Sequence, residues 1–406
     1  MIQINRPTYL EFLTSWKDED VIKVVSGVRR CGKSTLFEMF KPYLIKNGVK
    51  EKQIISINFE DIKFDDLRNP TALHTYIKKQ IQENVNYYLF LDEIQNVKEF
   101  ERVVNSLQLN KNLDIYLTGS NAYFLSGELA TLLTGRYVEL KMLPLSFNEY
   151  LSINKDEKRL EAYNNYLKSS FPYAITLDET KKRQYLEGIY STVVLKDIVK
   201  RLNVTDVSVL EQLIRYIYAE IGNLHSINKI TNTLNSSGSK ITNKTVAHYI
   251  MGIEDSMLVY RADRYNVKGR KVFSSNSKYY AVDIGLRRLI AGDRTEDYGH
   301  ILENIVYLEL LRRGYQVYVG VIDNLEVDFL AISSGEERLY IQVAYSTESE
   351  ETLKRELRPL EIIKDNYPKF LLTMDTILPE QNFGGIQKTN ALNWLIGESS
   401  LDDSWK

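Results

Sequence analysis

A single cysteine, Cys31, is all the thiol chemistry available to this 406-residue chain. It excludes an intramolecular disulfide and fits a reducing compartment. Long apolar runs are missing too, since no stretch approaches the roughly 18 consecutive apolar residues that a helical membrane span needs. The opening MIQINRPTYLEF turns polar almost at once and holds no apolar signal core. Nor is there an excess of one charge: 52 Lys and Arg against 54 Asp and Glu leave a net −2. Nothing global therefore advertises nucleic acid or membrane, although a local basic face stays open. Repeats of solenoid length and low-complexity segments are also absent. These absences point to a soluble, cytoplasmic protein without a membrane partner.

What remains is an ordinary globular mixture, 44% hydrophobic and 26% charged, long enough for two or three domains. The 28 tyrosines are scattered and read as half-buried amphipathic side chains. From Val21 to about Tyr150, short apolar runs alternate with helical stretches. VIKVVSG, IISINFED, YYLFLDE and LDIYLTGS read as strands, with helices between them. Such alternation predicts an α/β fold, a parallel sheet with helices on both faces. From about Leu151 to Leu202 the chain turns helical and polar. Three short helices and a hairpin turning near Lys268-Gly269-Arg270 follow, which is the element order of a winged helix. Beyond Tyr279 a helix and several strands form a further α/β unit.

Gly27-Val-Arg29-Arg30-Cys31-Gly32-Lys33-Ser34-Thr35 follows an apolar strand and opens a helix, the setting that a phosphate-cradling loop requires. Backbone N–H groups and the positive helix N-terminus would hold the phosphates. Lys33 would reach the β- and γ-phosphates, and Ser34 would bind Mg²⁺. The alternative is a strand-to-helix turn that fits by chance. YYLFLDEIQ then ends a strand in Asp92 and Glu93: Asp92 can hold Mg²⁺ through water, and Glu93 can polarise the attacking water. Taken alone, these could be solvated acids at a strand end. In LDIYLTGSN, Ser120 and Asn121 could sense the γ-phosphate or form a simple turn. Arg136 in TGRY could reach a neighbour's γ-phosphate or make a surface salt bridge.

VVSGVRRCGKSTL, LFLDEIQNV, YLTGSNAYFLSGELATLLTGRYVEL and LPLSFNEY resemble the AAA-type prokaryotic ATPases that carry a C-terminal domain of unknown function. The resemblance continues in YLEGIYSTVVLKDIVKR, GHILENIVYLELLRRGYQVYVG, EVDFLA and NYPKFLLTMD, and so covers nearly the whole chain. It implies a P-loop NTPase core, a winged-helix-like middle and a nuclease-like tail, and the chain's own pattern bounds these as an ATPase domain at 1–150, a helical lid or connector at 151–203 and a winged-helix-like module at 204–279. A degenerate restriction-endonuclease-like domain at 280–385 and a tail at 386–406 complete the chain. ATP as the nucleotide, over GTP, rests on the resemblance alone. The resemblance also gives Ser120 or Asn121 a sensor role and Arg136 a finger role in a homo-oligomer.

In the last α/β unit Glu303, Asp328 and Gln342 occupy nuclease-like positions. The motif that would end in lysine reads Gln342-Val-Ala344. An amide is a poor Mg²⁺ ligand and alanine offers a phosphate no charge. The expectation is a retained scaffold without nuclease activity, unless a lysine from elsewhere substitutes. The hairpin with Arg264, Lys268, Arg270 and Lys271, and the helix with Lys244, could contact DNA phosphates or form a solvated basic wing that docks protein. The sequence therefore predicts an oligomeric ATP- and Mg²⁺-dependent ATPase, a motor or remodelling protein whose C-terminal half engages DNA. The alternatives are a nucleotide-gated switch that binds a protein partner and, behind it, an ATP-dependent nuclease.

Overall fold

A computed structural model describes residues 4–119, 133, 135–292 and 297–399. The chain divides into two compact units. The first comprises Met1–Pro144 together with Thr192–Arg201 and Asp255–Met257, and the second comprises Leu145–Ser191, Leu202–Glu254 and Leu258–Lys406. Among the described residues no helix is long and apolar enough to cross a membrane.

Among the described residues the first unit is built on five parallel strands: β1 (Ile22–Gly27), β2 (Ile54–Asn58), β3 (Tyr87–Asp92), β4 (Leu113–Thr118) and β5 (Tyr137–Met142). Their order is β2-β3-β4-β1-β5, with every pairing parallel. β1, β3 and β4 are buried along their whole length, as expected of central parallel strands covered on both faces. Helices α1 (Pro7–Ser15), α2 (Lys33–Lys46), α3 (Pro70–Gln80) and α4 (Phe100–Leu107) accompany the sheet. One apolar core joins Val24, Leu89 and Leu117 of the strands to Leu73, Ile77 and Val104 of α3 and α4. The register matters for function, because it aligns Asn58 with Asp92, sets Leu91 against Leu117 one step earlier and pairs Val25 with Thr118. The last residues of β2, β3 and β4 thus stand in one row beside the end of β1.

The second unit is built on nine strands: β6 (Leu224–His225), β7 (Val259–Asn266), β8 (Lys271–Ala281), β9 (Gln316–Ile322), β10 (Leu325–Ile332), β11 (Arg338–Ala344), β12 (Lys369–Thr373), β13 (Gln381–Phe383) and β14 (Ile386–Asn390). Their order is β13-β14-β12-β11-β10-β9-β7-β8-β6. The hairpin β7–β8 turns where the sequence places it, and β7 pairs in parallel with β9. The hairpin and the strands beyond it therefore form one continuous sheet, which runs through the expected division near residue 279. The helices of this unit are α5 (Phe147–Ile153), α6 (Arg159–Tyr166), α7 (Glu179–Thr192), α8 (Val207–Ala219), α9 (Ile227–Ser236), α10 (Asn243–Asp255), α11 (Ile284–Ala291), α12 (Tyr298–Arg312), α13 (Glu350–Ile362) and α14 (Ala391–Leu395). α7 continues into a π-helical stretch, Val193–Val199, which belongs to the first unit. α12 is buried without interruption from Ile301 to Leu310, so its one-sided amphipathic pattern is lost and Glu303 is carried into the interior.

Candidate functional site

The loop from Gly27 to Ser34 leaves the end of β1 and enters α2, whose first residue is Lys33. Two glycines are required by geometry. A Cβ on Gly27 would lie 2.4 Å from the Met142 carbonyl oxygen and 2.8 Å from Cys31 Sγ. Gly32, the N-cap of α2, has φ 107°, a left-handed conformation that side chains disfavour. Lys33 is 5% exposed, and its ammonium donates to the Gly27 carbonyl at 2.9 Å and the Val28 carbonyl at 3.3 Å. The loop thus keeps its own lysine folded against two of its carbonyls. Cys31 is buried, which pushes its thiol pKa up. Arg30 is exposed and left-handed at φ 68°.

Asp92 ends β3 and is 7% exposed. Burial pushes its carboxyl above the usual range, with hydroxyl bonds from Thr118 and Ser34 acting the other way. Asn58 Nδ2 donates to its second oxygen at 3.1 Å. The Ser34 hydroxyl and the Asp92 carboxylate are therefore already together, and they are the two groups that would hold Mg²⁺. Among the described residues no group of three or more His, Cys, Asp or Glu could hold a metal by itself. Glu93, the next residue, is 8% exposed and adopts φ 54°, an uncommon backbone conformation for glutamate that recurs at functional sites. Its N–H donates to Thr118 Oγ1 at 3.0 Å, and its carboxylate accepts from Gln95 Nε2.

Several contributors carry no sequence motif. Thr118 links Asp92 to Glu93, and only its position at the end of β4 could have indicated it. Arg6, 3% exposed, donates to the Cys31 carbonyl at 3.2 Å and the Leu143 carbonyl at 2.8 Å, so the residue before α1 braces the loop. Arg29 forms two bonds to Asp197 on the π-helical stretch, at 2.8 and 2.9 Å. Ser120 and Asn121 lie outside the described residues. Arg136 is exposed and precedes β5 at the edge where β1 begins, since Ile22 pairs with Tyr137 and Gly27 with Met142. A six-residue strand spans about 20 Å, so Arg136 stands at the opposite edge from its own phosphate loop.

In the second unit Glu303, Asp328 and Gln342 line one cavity of about 490 Å³. A lysine from another strand has entered it. Lys278 of β8 is 4% exposed, and its Nζ lies 2.9 Å from Glu303, 2.7 Å from Glu326 and 3.6 Å from Asp328. Burial opposes the ammonium charge, but these carboxylates raise its pKa overall. Burial likewise opposes Glu303 ionisation, yet Lys278, His300 and Tyr280 bring its pKa down to about 2. Burial and the Glu303 charge push Asp328 up to about 7. Gln342 donates to Glu356 at 2.9 Å and accepts from the Asp328 N–H at 3.2 Å. Of the basic residues on the hairpin and α10, Lys244, Lys268, Arg270 and Lys271 are exposed. Lys268 pairs with Asp323 at 2.6 Å, and the half-buried Arg264 packs over the Phe273 ring.

Residues 19–151 match the family described as an AAA domain, and residues 159–297 match a domain of unknown function (DUF8612). The chain is 40% identical over 401 residues to an uncharacterized protein of Haemophilus influenzae, covering 97% of this chain and 98% of that one. An uncharacterized protein of Methanocaldococcus jannaschii is 32% identical over 373 residues, covering 85% and 79% respectively. Among solved structures, a Walker-type ATPase of Pyrococcus abyssi superposes with TM-score 0.48 and 15% identity, over 71% of this chain and 95% of that one.

Proposed function

The chain belongs to the AAA-type P-loop ATPase family whose members carry a C-terminal domain of unknown function, and on that premise we propose that it hydrolyses ATP at the Gly27–Ser34 loop. One observation carries the reading: Ser34, Asn58 and Thr118 all bond to Asp92, at the strand edge where Lys33 and Glu93 also stand. Mg²⁺ held there would neutralise charge on the β- and γ-phosphates. Lys33 exchanges its two loop carbonyls for phosphate oxygens. Glu93, oriented through its N–H bond to Thr118, accepts a hydrogen bond from the attacking water and polarises it. Lys33→Ala is expected to weaken binding of a fluorescent ATP analogue more than tenfold, a loss of about 1.4 kcal/mol or more. Unchanged affinity would remove the loop from the account.

For the C-terminal half we propose DNA association, with exposed Lys244, Arg270 and Lys271 contacting phosphates and Arg136 completing a neighbour's site in a homo-oligomer. The placement of Arg136 at the far sheet edge supports action between protomers rather than within one. Duplex, branched or single-stranded DNA should stimulate turnover, and the stimulation should fall steeply with salt. Turnover indifferent to every DNA would favour the second reading, a switch with a protein partner. The Arg29–Asp197 pair, which ties the loop to a distant helix, is the observation that supports that switch. An ATP-dependent nuclease is the weaker alternative: Lys278 stands 2.9 Å from Glu303 and 2.7 Å from Glu326, but Gln342 and Ala344 offer neither a second carboxylate nor a charge.

A further inference from the structure

Arg29 is the third residue of the phosphate loop, and its guanidinium faces a carboxylate 168 residues away. Both oxygens of Asp197 are engaged, Nε to Oδ2 at 2.8 Å and Nη2 to Oδ1 at 2.9 Å. Asp197 is 8% exposed and the Arg29 side chain 22%. A fork-on-fork pair in so dry a setting is the strong, orientation-specific kind. Burial opposes the arginine charge, while Asp197, then Glu93 and Glu60, favour it, so the guanidinium also lies within the field of Glu93. Asp197 itself sits in a seven-residue π-helical stretch. Such stretches are rare and recur at functional sites. A strong ion pair thus joins the loop that would hold a γ-phosphate to the least regular part of a long helix.

We propose that Arg29 is a γ-phosphate sensor and Asp197 its latch. Without a triphosphate the guanidinium is clamped to Asp197 and ties Val193–Val199 to the phosphate loop of the same unit. A γ-phosphate offers Arg29 a denser anion on the loop that carries it, draws the guanidinium away and frees Asp197. When the γ-phosphate leaves, the pair re-forms. The stretch is continuous in the chain with α7 before it and Lys200–Leu202 after it, so the nucleotide state reaches both neighbours through the backbone. This inference rests on the reading of Gly27–Ser34 as an ATP site.

Amide hydrogen exchange of the full chain tests it, without nucleotide, with Mg²⁺–ADP and with a non-hydrolysable Mg²⁺–ATP analogue. Binding is followed in parallel by titration with fluorescent analogues. Exchange in residues 193–199 is expected to rise about fivefold or more with the ATP analogue and to stay at the nucleotide-free level with ADP. Asp197→Asn should exchange fast in all three states and bind the ATP analogue about tenfold more tightly, with ADP affinity unchanged. Arg29→Ala should lose the preference for triphosphate. Flat exchange alongside saturating, Lys33-dependent binding overturns the latch and leaves the ATP site standing. No binding of either nucleotide overturns both. The wild-type comparison needs no variant, so a poorly folding Asp197→Asn protein does not blunt the test.

Discussion

Asp92 shows how single residues acquire roles from register. Its bonds to Asn58 and Thr118 exist because three parallel strands end together, and the sequence by itself assigns neither partner a role. The sequence identifies the loop, Asp92 and Glu93, whose spacing and setting are local. Thr118 and Asp197 lie in stretches that resemble the family but carry no assigned role there, and Arg6 and Lys278 are lone polar residues that long-range packing brings in. Thr118→Val should retain nucleotide binding while slowing turnover roughly 10- to 100-fold, because Glu93 and Asp92 lose a shared hydroxyl. Steady-state kinetics beside a binding titration separates the two effects. In the second unit, the Asp328 pKa of about 7 lies above its ordinary value of 3.8. The stability tied to its protonated form is complete below pH 4 or so and is lost as pH rises through about 7. Asp328→Asn should therefore gain on the wild type between about pH 4 and 8, read as several degrees of relative shift in thermal midpoint. Parallel pH profiles would contradict that environment for Asp328.

Among the elements, β1, β3 and β4 are legible because central parallel strands are continuous apolar runs. β5 is half-exposed along most of its length and lacks such a run. The hairpin β7–β8 is also legible, but its membership in a nine-stranded sheet depends on pairing with β9, and periodicity cannot reveal which strands pair. Between β1 and α2 the backbone leaves no room for a side chain at position 27. Gly27→Ala must move both the Met142 carbonyl and the Cys31 thiol, and the expected cost is roughly 1–3 kcal/mol. Chemical denaturation with nucleotide titration checks this, and a variant as stable as the wild type would show that the loop yields easily. Arg6→Ala removes the brace on the Cys31 carbonyl and should weaken ATP binding, although Arg6 lies outside the loop.

At the scale of the whole molecule, the proposed finger role of Arg136 predicts that catalysis needs assembled copies. Lys33→Ala and Arg136→Ala proteins should each be nearly inactive, yet an equal mixture should recover roughly a quarter of wild-type turnover, because only one interface in four pairs an intact loop with an intact finger. Recovery of nothing, with both variants folded, would confine Arg136 to a surface role. The central claim is simpler and is tested most directly by ATP turnover of the wild type against Glu93→Gln, at saturating nucleotide and with binding measured alongside. The expected result is nucleotide bound equally well by both and hydrolysis lowered at least about a hundredfold in the variant. Equal turnover by the two proteins would contradict the assignment of Glu93 and, with it, the reading of this strand edge as a hydrolytic site.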